Sequence, residues 1–446
     1  MNLSRRKLFL AVAAGAFPRR APTADLSRMI VRSARPADLE MPLEAFQEWI
    51  TPVDRFFVRC HTYFPARVNL SDWRLKIDGV VNQPLTLSIG DLKKLPRVEL
   101  VGALECAGNG RSFYQPRVAG TQWAFGSVGN GRWAGVRLRD VLQKAGLKNS
   151  AQQLLLDGSD TPIGTMPKFQ RTVTVQKALD PDTLLVYEMN GQPLPDEHGY
   201  PLRLIAPGWA GDSWVKWLRH IEVLDHEFDG FWMKTAYRHP AHHIEPGATV
   251  DASELIPVAD LNVKSIIATP GNWVKPGRVR ISGAAWSNSS PVTKVDVSVD
   301  GGNTWKQAKL GKDQSRYAWR LWELDWQAAA GKHTLMARAT NAAGQTQPLA
   351  EEWNPSGYLW NVAQRVTVEV SANEIPPATG GVHPGEQPPG YKAACFACHD
   401  EAMMTQQRLT PAQWDREVQK MTGWGARIRP EDREGILKYL SDNFKP

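Results

Sequence analysis

The chain has 446 residues, enough for two or three domains, and its 42% hydrophobic and 22% charged residues are ordinary for a folded soluble protein. Residues 1–24 hold five basic side chains and no acidic one, so most of the formal net charge of +7 belongs to this segment. The charge therefore gives no argument for nucleic-acid binding, and four cysteines are too few for a disulfide scaffold.

The N-terminus combines paired arginines with a short apolar run. Arg5 and Arg6 precede residues 11–17, which are apolar but too few to span a bilayer. This combination is typical of a twin-arginine export signal, a route that carries proteins already folded around a cofactor. We predict such a signal over residues 1–24, a periplasmic location and no stable membrane insertion. A basic terminus with a weak membrane anchor is the alternative.

Residues 39–250 mix short strand-like runs with helical segments. Residues 73–80 alternate like a strand, 138–145 have helical spacing, and 154–157 are again strand-like. Dense glycines and prolines favour an α+β domain over a regular βαβ repeat. A weak glycine pattern at Gly126, Gly129 and Gly131 does not open a clear helix after a strand, which argues against a dinucleotide site.

Cys106 is the candidate metal ligand of this domain. It follows an apolar run, residues 98–104, and precedes small residues that permit a tight turn and close approach of the backbone to a large cofactor. A thiolate is a soft, strong metal ligand, and Arg111 adds a fixed positive charge nearby. A buried structural cysteine is the alternative, and this segment alone leaves both interpretations open.

Residues 255–372 change to short β-type runs separated by turn signals such as Asp300-Gly301-Gly302-Asn303. The spacing predicts an immunoglobulin-like β-sandwich. Its expected strands are at 279–283, 292–299, 317–324, 333–340 and 366–370.

The C-terminal part consists of a Pro/Gly-rich linker, residues 373–390, and a small all-α domain, residues 391–446. Apolar spacing predicts helices over 411–421 and 430–444, each opening near a proline. Cys395, Cys398 and His399 form C-x-x-C-H, in which two sulfurs attach haem covalently and the imidazole reaches the iron. This predicts a cytochrome c domain.

Alternatives to the haem interpretation are weak. Zinc would need a second ligand pair, and a redox-active C-x-x-C would need a thioredoxin-like βαβ pattern. We assign Met421 as the second axial ligand, because it follows a predicted helix and precedes a flexible loop. Met403 and Met404 lie too close to the attachment helix to reach the far face. A gap-filling core methionine is the alternative for Met421.

The chain resembles the sulfite oxidase family of molybdenum enzymes over roughly residues 40–370. Four segments carry the resemblance: 57–61 is similar to the family's F-x-R-N-H, 105–111 to its C-A-G-N-x-R loop, 129–142 to its R-W-x-G-x-x-L-x-D-V-L stretch, and 198–203 with 215–218 to its pterin-binding region. The resemblance implies an α+β molybdopterin-binding domain over 39–250 and an immunoglobulin-like dimerisation domain over 255–372, hence a homodimer.

The resemblance also implies roles for individual residues. Cys106 would ligate molybdenum held by a pyranopterin dithiolene, and Tyr237 would be the active-site tyrosine. Residues implied to bind the cofactor or line its pocket are Phe57, Arg59, His61, Asp160, His198, Arg203, Trp214 and Lys216. The anion-binding arginines would be Arg59, Arg111 and Arg320, with Trp123 as a wall. Three converging guanidiniums form an oxyanion site because each offers fixed donors and stays charged.

Two features depart from the family pattern or stay unassigned. Cys60 replaces the usual asparagine, so a hydrogen bond to the cofactor is lost and a thiol without a role remains. His239, His242 and His243 follow Tyr237 and are compatible with an extra metal site or, more simply, a solvated loop.

The sequence thus predicts periplasmic oxidation of sulfite to sulfate at molybdenum. Electrons would pass to the haem on His399 and Met421 and then to a soluble cytochrome c. The fusion resembles bacterial sulfite dehydrogenases, whose cytochrome is usually a separate subunit. The rivals are a sulfane dehydrogenase acting on protein-bound sulfur, a methionine sulfoxide reductase, and a haem electron carrier with an inactive molybdenum site.

Overall fold

The computed structural model describes residues 25–66, 68–374 and 385–446. The predicted export signal and most of the predicted linker lie outside the described residues. Within the described ranges, no helix combines the length and hydropathy that crossing a membrane requires.

The first unit is an α+β domain. Its strands are β1 Ile30–Ser33, β2 Asp38–Glu40, β3 Val58–Arg59, β4 Leu75–Gly79, β5 Leu85–Leu87, β6 Val98–Glu105, β7 Val128–Arg137, β8 Gln153–Gly158, β9 Gln170–Thr174, β10 Leu184–Met189, β11 Gln192–Pro193, β12 Arg203–Ile205, β13 Leu218–Leu224 and β14 Arg238–Pro240. Its helices are α1 Ile89–Leu92, α2 Leu138–Ala145, α3 Val175–Leu179 and α4 Phe231–Lys234. Short 3₁₀ helices lie at Leu26–Arg28, Leu43–Gln47, Val53–Arg55, Arg111–Phe113, Asp196–His198, Gly211–Ser213 and Ala252–Glu254.

Three sheets organise this unit, with orders β1-β2-β3, β11-β10-β7-β6 and β5-β4-β13-β8-β9, and β12 pairs with β10. Neighbouring strands are antiparallel except for the β4–β13 pair. This mixture confirms the predicted α+β class, because a βαβ repeat would give a parallel sheet.

The β6–β7 hairpin brings Cys106 to the site. β6 pairs with β7 in continuous register from Val98–Gly135 to Glu105–Val128, so the ladder stops one residue before the cysteine. The glycines that faintly suggested a dinucleotide loop serve the close packing here. A Cβ on Gly129, within β7, would lie 2.6 Å from the ring of Phe56.

The second unit is a two-sheet sandwich, as predicted. After β15 Leu255–Pro257, which pairs with β14, its strands are β16 Lys264–Thr269, β17 Trp273–Val274, β18 Gly277–Trp286, β19 Val292–Ser298, β20 Lys306–Gln307, β21 Lys309–Leu310, β22 Arg320–Ala328, β23 Gly331–Asn341 and β24 Arg365–Val370. The sheet orders are β16-β18-β22-β21 and β17-β24-β23-β19-β20, with an aliphatic and tryptophan core between them. Each predicted run overlaps one of these strands.

The C-terminal unit is all α. It consists of α5 Tyr391–Cys395, α6 Ala402–Thr405, α7 Pro411–Gly423 and α8 Pro430–Asn443. Thr410 and Gln413 form a capping box ahead of α7, and proline opens both long helices. The helices expected at 411–421 and 430–444 are therefore present. Met421 lies in the last turn of α7 rather than after it, because the helix continues to Gly423.

The C-terminal unit is docked on the first unit through polar contacts. Asp400 accepts hydrogen bonds from Oγ of Ser33 at 3.1 Å and from the backbone nitrogen of Ala34 at 2.5 Å. The Tyr63 hydroxyl donates to the carbonyl of Cys398 at 2.9 Å, which fixes the C-x-x-C-H segment itself against the first unit.

A second contact holds the end of α7. The backbone nitrogen of Thr165 donates to the carbonyl of Trp424 at 3.0 Å, and Oγ1 of Thr165 donates to the carbonyl of Gly423 at 2.9 Å. The Trp424 ring packs against Phe231 and Trp232, with centroids 5.9 and 6.4 Å away. We call these contacts the Thr165–Trp424 junction.

Candidate active site

Cys106 lies at the wall of a cavity of about 500 Å³. It is buried, its backbone nitrogen donates to Ser127, and its sulfur accepts from the backbone of Gly108. Burial raises the pKa of the Cys106 thiol, while Arg59 and Arg111 oppose that shift. A metal cation beside the sulfur would remove the cost of its negative charge, so the environment suits a thiolate only when a cation is bound.

Arg59 is one of two predicted arginines that border this cavity. Its guanidinium donates to Oδ1 of Asp38 at 3.1 Å and to the carbonyl of Cys60. Burial opposes the charge, yet Asp38 raises the pKa of Arg59 above its usual value. Asp38 also accepts from Oγ1 of Thr121 at 2.7 Å, so the arginine is held by a fixed carboxylate.

Arg111 is the second predicted arginine in the cavity wall. It donates to the carbonyl of Thr121 at 3.2 Å, and its Cζ lies 5.0 Å from the centre of the Tyr358 ring. A Cβ on Gly108 would lie 3.0 Å from this guanidinium, which explains the glycine two residues after Cys106. The Cys106 loop and Arg111 are therefore packed as one piece.

Tyr237 faces the same space, in a left-handed backbone conformation (φ 53°) that aromatic residues rarely adopt. Its hydroxyl lies 2.7 Å from Nε2 of His61. Burial, together with nearby cations such as Arg59, holds the pKa of His61 well below 6.5, so the imidazole is neutral and accepts this hydrogen bond. Burial also raises the pKa of Tyr237 well above its ordinary value, so the phenol keeps its proton.

Arg320 does not reach the site, contrary to the prediction. It begins β22, donates to the carbonyl of Gly311 at 2.8 Å and to Gln314 at 3.2 Å, and does not line the cavity. Pairing with Ala285 of β18 holds Arg320 at the start of β22, next to the 311–314 loop. Trp123, predicted as a wall of the anion site, is fully buried and lines the cavity.

A narrower pocket adjoins the cavity behind Cys106 and collects the residues implied to hold the pterin. It is lined by Phe57, Arg59, His61, Cys106, Asp160, His198, Arg203, Trp214 and Lys216. Asp160, the least certain assignment, lies there with Oδ2 accepting from Thr62 at 3.2 Å. Cys60 also lines this pocket, and its sulfur accepts from Nζ of Lys216 at 3.0 Å. Cys60 therefore has a polar partner of its own.

The residues of this pocket fit a pyranopterin. Among the described residues, none gives a hydrogen-bond partner to four buried nitrogens that border the two spaces: His198 Nε2, Arg203 Nε, Arg111 Nε and Trp123 Nε1. Burial lowers the pKa of Arg203 to about 9, as expected for a cation that lacks an anion. A polar, anionic cofactor would satisfy these groups, and Cys106 adds a soft ligand at its edge.

The C-x-x-C-H segment borders the same large cavity. Cys395, Cys398 and His399 line it together with Met421 and apolar side chains of α7 and α8. Nδ1 of His399 lies 3.2 Å from the carbonyl of Asp400, which leaves Nε2 for a ligand bond. An apolar crevice with two thiols and an oriented imidazole fits a covalently bound haem. Met403 and Met404 line the crevice too, so the axial role of Met421 stays a prediction.

Sequence reasoning missed several residues near Tyr237. The Arg171 guanidinium lies 5.2 Å from the Tyr237 ring centre and pairs with buried Asp212 at 2.6 Å. The Tyr358 ring, from the second unit, stacks on Tyr237 with centroids 5.2 Å apart and planes 14° apart. Neither Arg171 nor Tyr358 belongs to a matched motif, and no local spacing marks them. His242 and His243 are exposed, and their role stays unassigned.

Comparison with known proteins agrees with this geometry. Residues 61–232 match the family described as oxidoreductase molybdopterin binding domain, and 256–371 match the Mo-co oxidoreductase dimerisation domain. Sulfite oxidase of Homo sapiens is 38% identical over 361 residues, covering 76% of this chain and 66% of that protein. Sulfite oxidase of Gallus gallus is 36% identical over 348 residues, covering 74% and 75%. This chain thus spans slightly less than two thirds of the human protein.

A solved structure has the same fold over most of this chain. The sulfane dehydrogenase SoxCD from Paracoccus pantotrophus superposes with a TM-score of 0.67 and 26% identity, over 82% of this chain and 96% of that chain. Fold and site together define a molybdopterin-binding oxidoreductase with a second, sandwich domain of the dimerisation type. The chain belongs to the sulfite oxidase family.

Proposed function

We propose that the protein oxidises sulfite to sulfate and passes the electrons to a c-type haem on its own C-terminal unit. The observation that carries this proposal is the single cavity shared by Cys106, two arginines, Tyr237 and the C-x-x-C-H segment. The reaction converts sulfite and water into sulfate, two protons and two electrons. This reaction requires a binding site for an oxyanion and, beside it, an acceptor for the two electrons.

Arg59 and Arg111 would bind the substrate. Both carry fixed guanidinium donors on the wall beside Cys106, and both are immobilised, one by Asp38 and the other by Thr121. Fixed cations on the wall of a cavity attract a small dianion without having to reorganise. When bound on Cys106, the molybdenum cofactor would supply the oxygen atom and accept the two electrons.

Tyr237 would orient the substrate or its product. Its phenol remains protonated and donates to the neutral imidazole of His61, which fixes the direction of the hydroxyl at the cavity wall. Trp123, fully buried on the cavity wall, excludes water from one side.

Cys395 and Cys398 would attach the haem, and His399 and Met421 would bind its iron. The haem would supply a one-electron acceptor inside the chain, and histidine–methionine ligation raises its reduction potential. The contacts of Asp400, Tyr63 and Thr165 support transfer within a docked arrangement. A soluble cytochrome c would be the final acceptor. Periplasmic export on residues 1–24 and a homodimer through the second unit complete the proposal.

A sulfane dehydrogenase acting on protein-bound sulfur is the second candidate, since SoxCD shares the fold over most of both chains. The C-terminal unit favours a small free substrate, because its helices border the same cavity as Arg59 and Arg111. A carrier protein would compete with the docked unit for this entrance.

The test is the reduction of the haem absorption band by free sulfite, compared between the parent and Cys106→Ser. We expect rapid reduction in the parent and none in the variant, with the haem content of both unchanged. Steady-state turnover with cytochrome c provides the second readout. A loaded parent enzyme that free sulfite does not reduce would exclude the sulfite proposal and favour the sulfane alternative.

A further inference from the structure

The residue before Cys106 is tied to the second unit by a buried network. Glu105 is 3% exposed, and its Oε1 accepts from Nζ of Lys264 at 2.5 Å and from Nδ2 of Asn109 at 2.8 Å. Its Oε2 accepts from Nε1 of Trp286 at 2.7 Å. Lys264 begins β16 and Trp286 ends β18, so the carboxylate is held by the sandwich on one side and by the Cys106 loop on the other.

More contacts from the second unit follow the same stretch of chain. The backbone nitrogen of Ala103 donates to the carbonyl of Tyr317 at 2.8 Å, ahead of the cysteine. After the cysteine, the backbone nitrogen of Leu359 donates to the carbonyl of Ala107, also at 2.8 Å. The sandwich thus bonds to the chain on both sides of Cys106, whereas a surface used only for dimer formation would not need these contacts.

Asn109 closes the turn after Cys106. Its side-chain oxygen accepts from the backbone nitrogen of Ser127 at 3.2 Å and from Oγ of Ser127 at 2.9 Å. Its amide nitrogen donates to Glu105. The cysteine therefore sits in a short loop whose two ends are clamped by one carboxylate and one amide.

The charges in this network depend on each other. Lys264 and Glu105 are both nearly inaccessible, and removing either alone leaves a buried charge without its partner. Replacing both with neutral side chains of similar size removes that cost. A glutamine at 105 retains one acceptor oxygen, which can accept from Trp286 or from Asn109, while its amide nitrogen faces the other of these two donors.

We propose that Glu105 is a positioning residue for Cys106, with Lys264 as its counter-ion, so that the second unit sets the direction of the sulfur toward the cavity. This inference rests on the proposed role of Cys106 as the molybdenum ligand. It assigns the sandwich a function at the metal site in addition to dimer formation.

The first test uses the full chain made without the pyranopterin. Thiol modification is followed residue by residue with a small disulfide reagent and peptide mass mapping. Cys60 lines the same pocket and serves as the internal reference. We expect Glu105→Gln and Lys264→Met each to change the rate at Cys106 relative to Cys60 by about threefold or more, because the reactivity of a thiol follows its local field and exposure. The double variant should return toward the parent ratio.

The matched control is the exposed pair Arg278–Asp325, 2.7 Å apart in the same sandwich. Arg278→Met and Asp325→Asn should leave the ratio unchanged. Equal acceleration at Cys106 and Cys60 in the Glu105 or Lys264 variants would show general loosening and overturn the proposal, as would no change at either thiol.

The second test uses the cofactor-loaded enzyme. The electron paramagnetic resonance signal of the half-reduced metal should change in each single variant and recover in the double variant, while the KM for sulfite stays near that of the parent. A signal identical to the parent's in both single variants would contradict the positioning role. If Cys106→Ser retained the parent's signal, the assignment of Cys106 as the molybdenum ligand would be wrong. The thiol-modification experiment uses protein without the pyranopterin, so its result does not depend on that assignment.

Discussion

Gly164 offers a direct way to separate the C-terminal unit from the active site. It adopts φ 60°, and a Cβ at this position would lie 2.3 Å from the carbonyl oxygen of Trp424. Gly164→Ala therefore displaces the Thr165–Trp424 junction. Gly247→Ala is the matched control, because Gly247 has φ 83° and a Cβ there would meet nothing within 4 Å. The backbone strain of a left-handed alanine, roughly 1–2 kcal/mol, applies to both variants.

The difference in docking free energy between the two variants measures the contribution of the Thr165–Trp424 junction. Two hydrogen bonds from Thr165 are at stake, and each contributes roughly 1 kcal/mol net, so the docked state should lose about 2 kcal/mol. That loss corresponds to about a 30-fold decrease in the ratio of docked to undocked molecules.

Hydrogen–deuterium exchange over residues 385–446 measures docking, and the rate at which sulfite reduces the haem measures its consequence. Gly164→Ala should raise exchange at the contact surfaces and slow haem reduction, while an artificial acceptor that takes electrons at the first unit should still support turnover. Equal exchange and equal haem reduction in the alanine variants of Gly164 and Gly247 would refute the reasoning.

Two further outcomes are expected at the site. Tyr358→Leu removes the ring that stacks on Tyr237 and lies 5.0 Å from the Arg111 Cζ. The KM for sulfite should rise about 2- to 30-fold, the range of a cation–π contact of roughly 0.5–2 kcal/mol, with a smaller effect on kcat. Steady-state kinetics with Tyr358→Phe as the control measures this, and an unchanged KM would exclude the contact as a determinant of binding. His61 and His198 have pKa values held well below 6.5 by burial, so the unfolded chain binds protons that the folded one does not, and the free energy of unfolding should fall as pH drops below about 6.5, by up to about 1.4 kcal/mol per pH unit for each histidine. Urea unfolding of cofactor-free protein at several pH values measures this slope, and His198→Gln should reduce it; an unaltered slope in that variant would remove His198 from the explanation.

Local patterns were sufficient for the parts of the site that lie at the end of a regular element. Cys106 follows an apolar strand and precedes small residues, and both features have a direct structural cause: the β6–β7 ladder ends there and the loop packs against Arg111. The helices α7 and α8 could also be predicted from the sequence, because an initial proline and apolar spacing are local signals.

The residues that were missed or wrongly placed depend on long-range packing. The resemblance implies an anion-binding role for Arg320, but the pairing of β22 with β18 directs it to the 311–314 loop. Arg171 and Tyr358 reach Tyr237 from segments far away in sequence, and no spacing within either segment encodes that meeting. A local pattern specifies an element and its buried face, whereas these positions are decided by strand pairing within the second unit and by packing within the first unit and between the first two units.

The packing of the three units also bears on which sulfur compound can react. The cavity is bordered by Arg59 from the first unit, Tyr358 from the second and His399 from the third, so the docked C-terminal unit forms part of its wall. Free sulfite is small enough to enter a cavity walled in this way, whereas for sulfur carried on a protein we expect that the C-terminal unit must leave. Undocking by Gly164→Ala should therefore leave oxidation measured with the artificial acceptor near the parent rate if free sulfite is the substrate. If a carrier protein is the substrate, the same change should open the cavity and speed that oxidation. The change in this one rate distinguishes the two reactions.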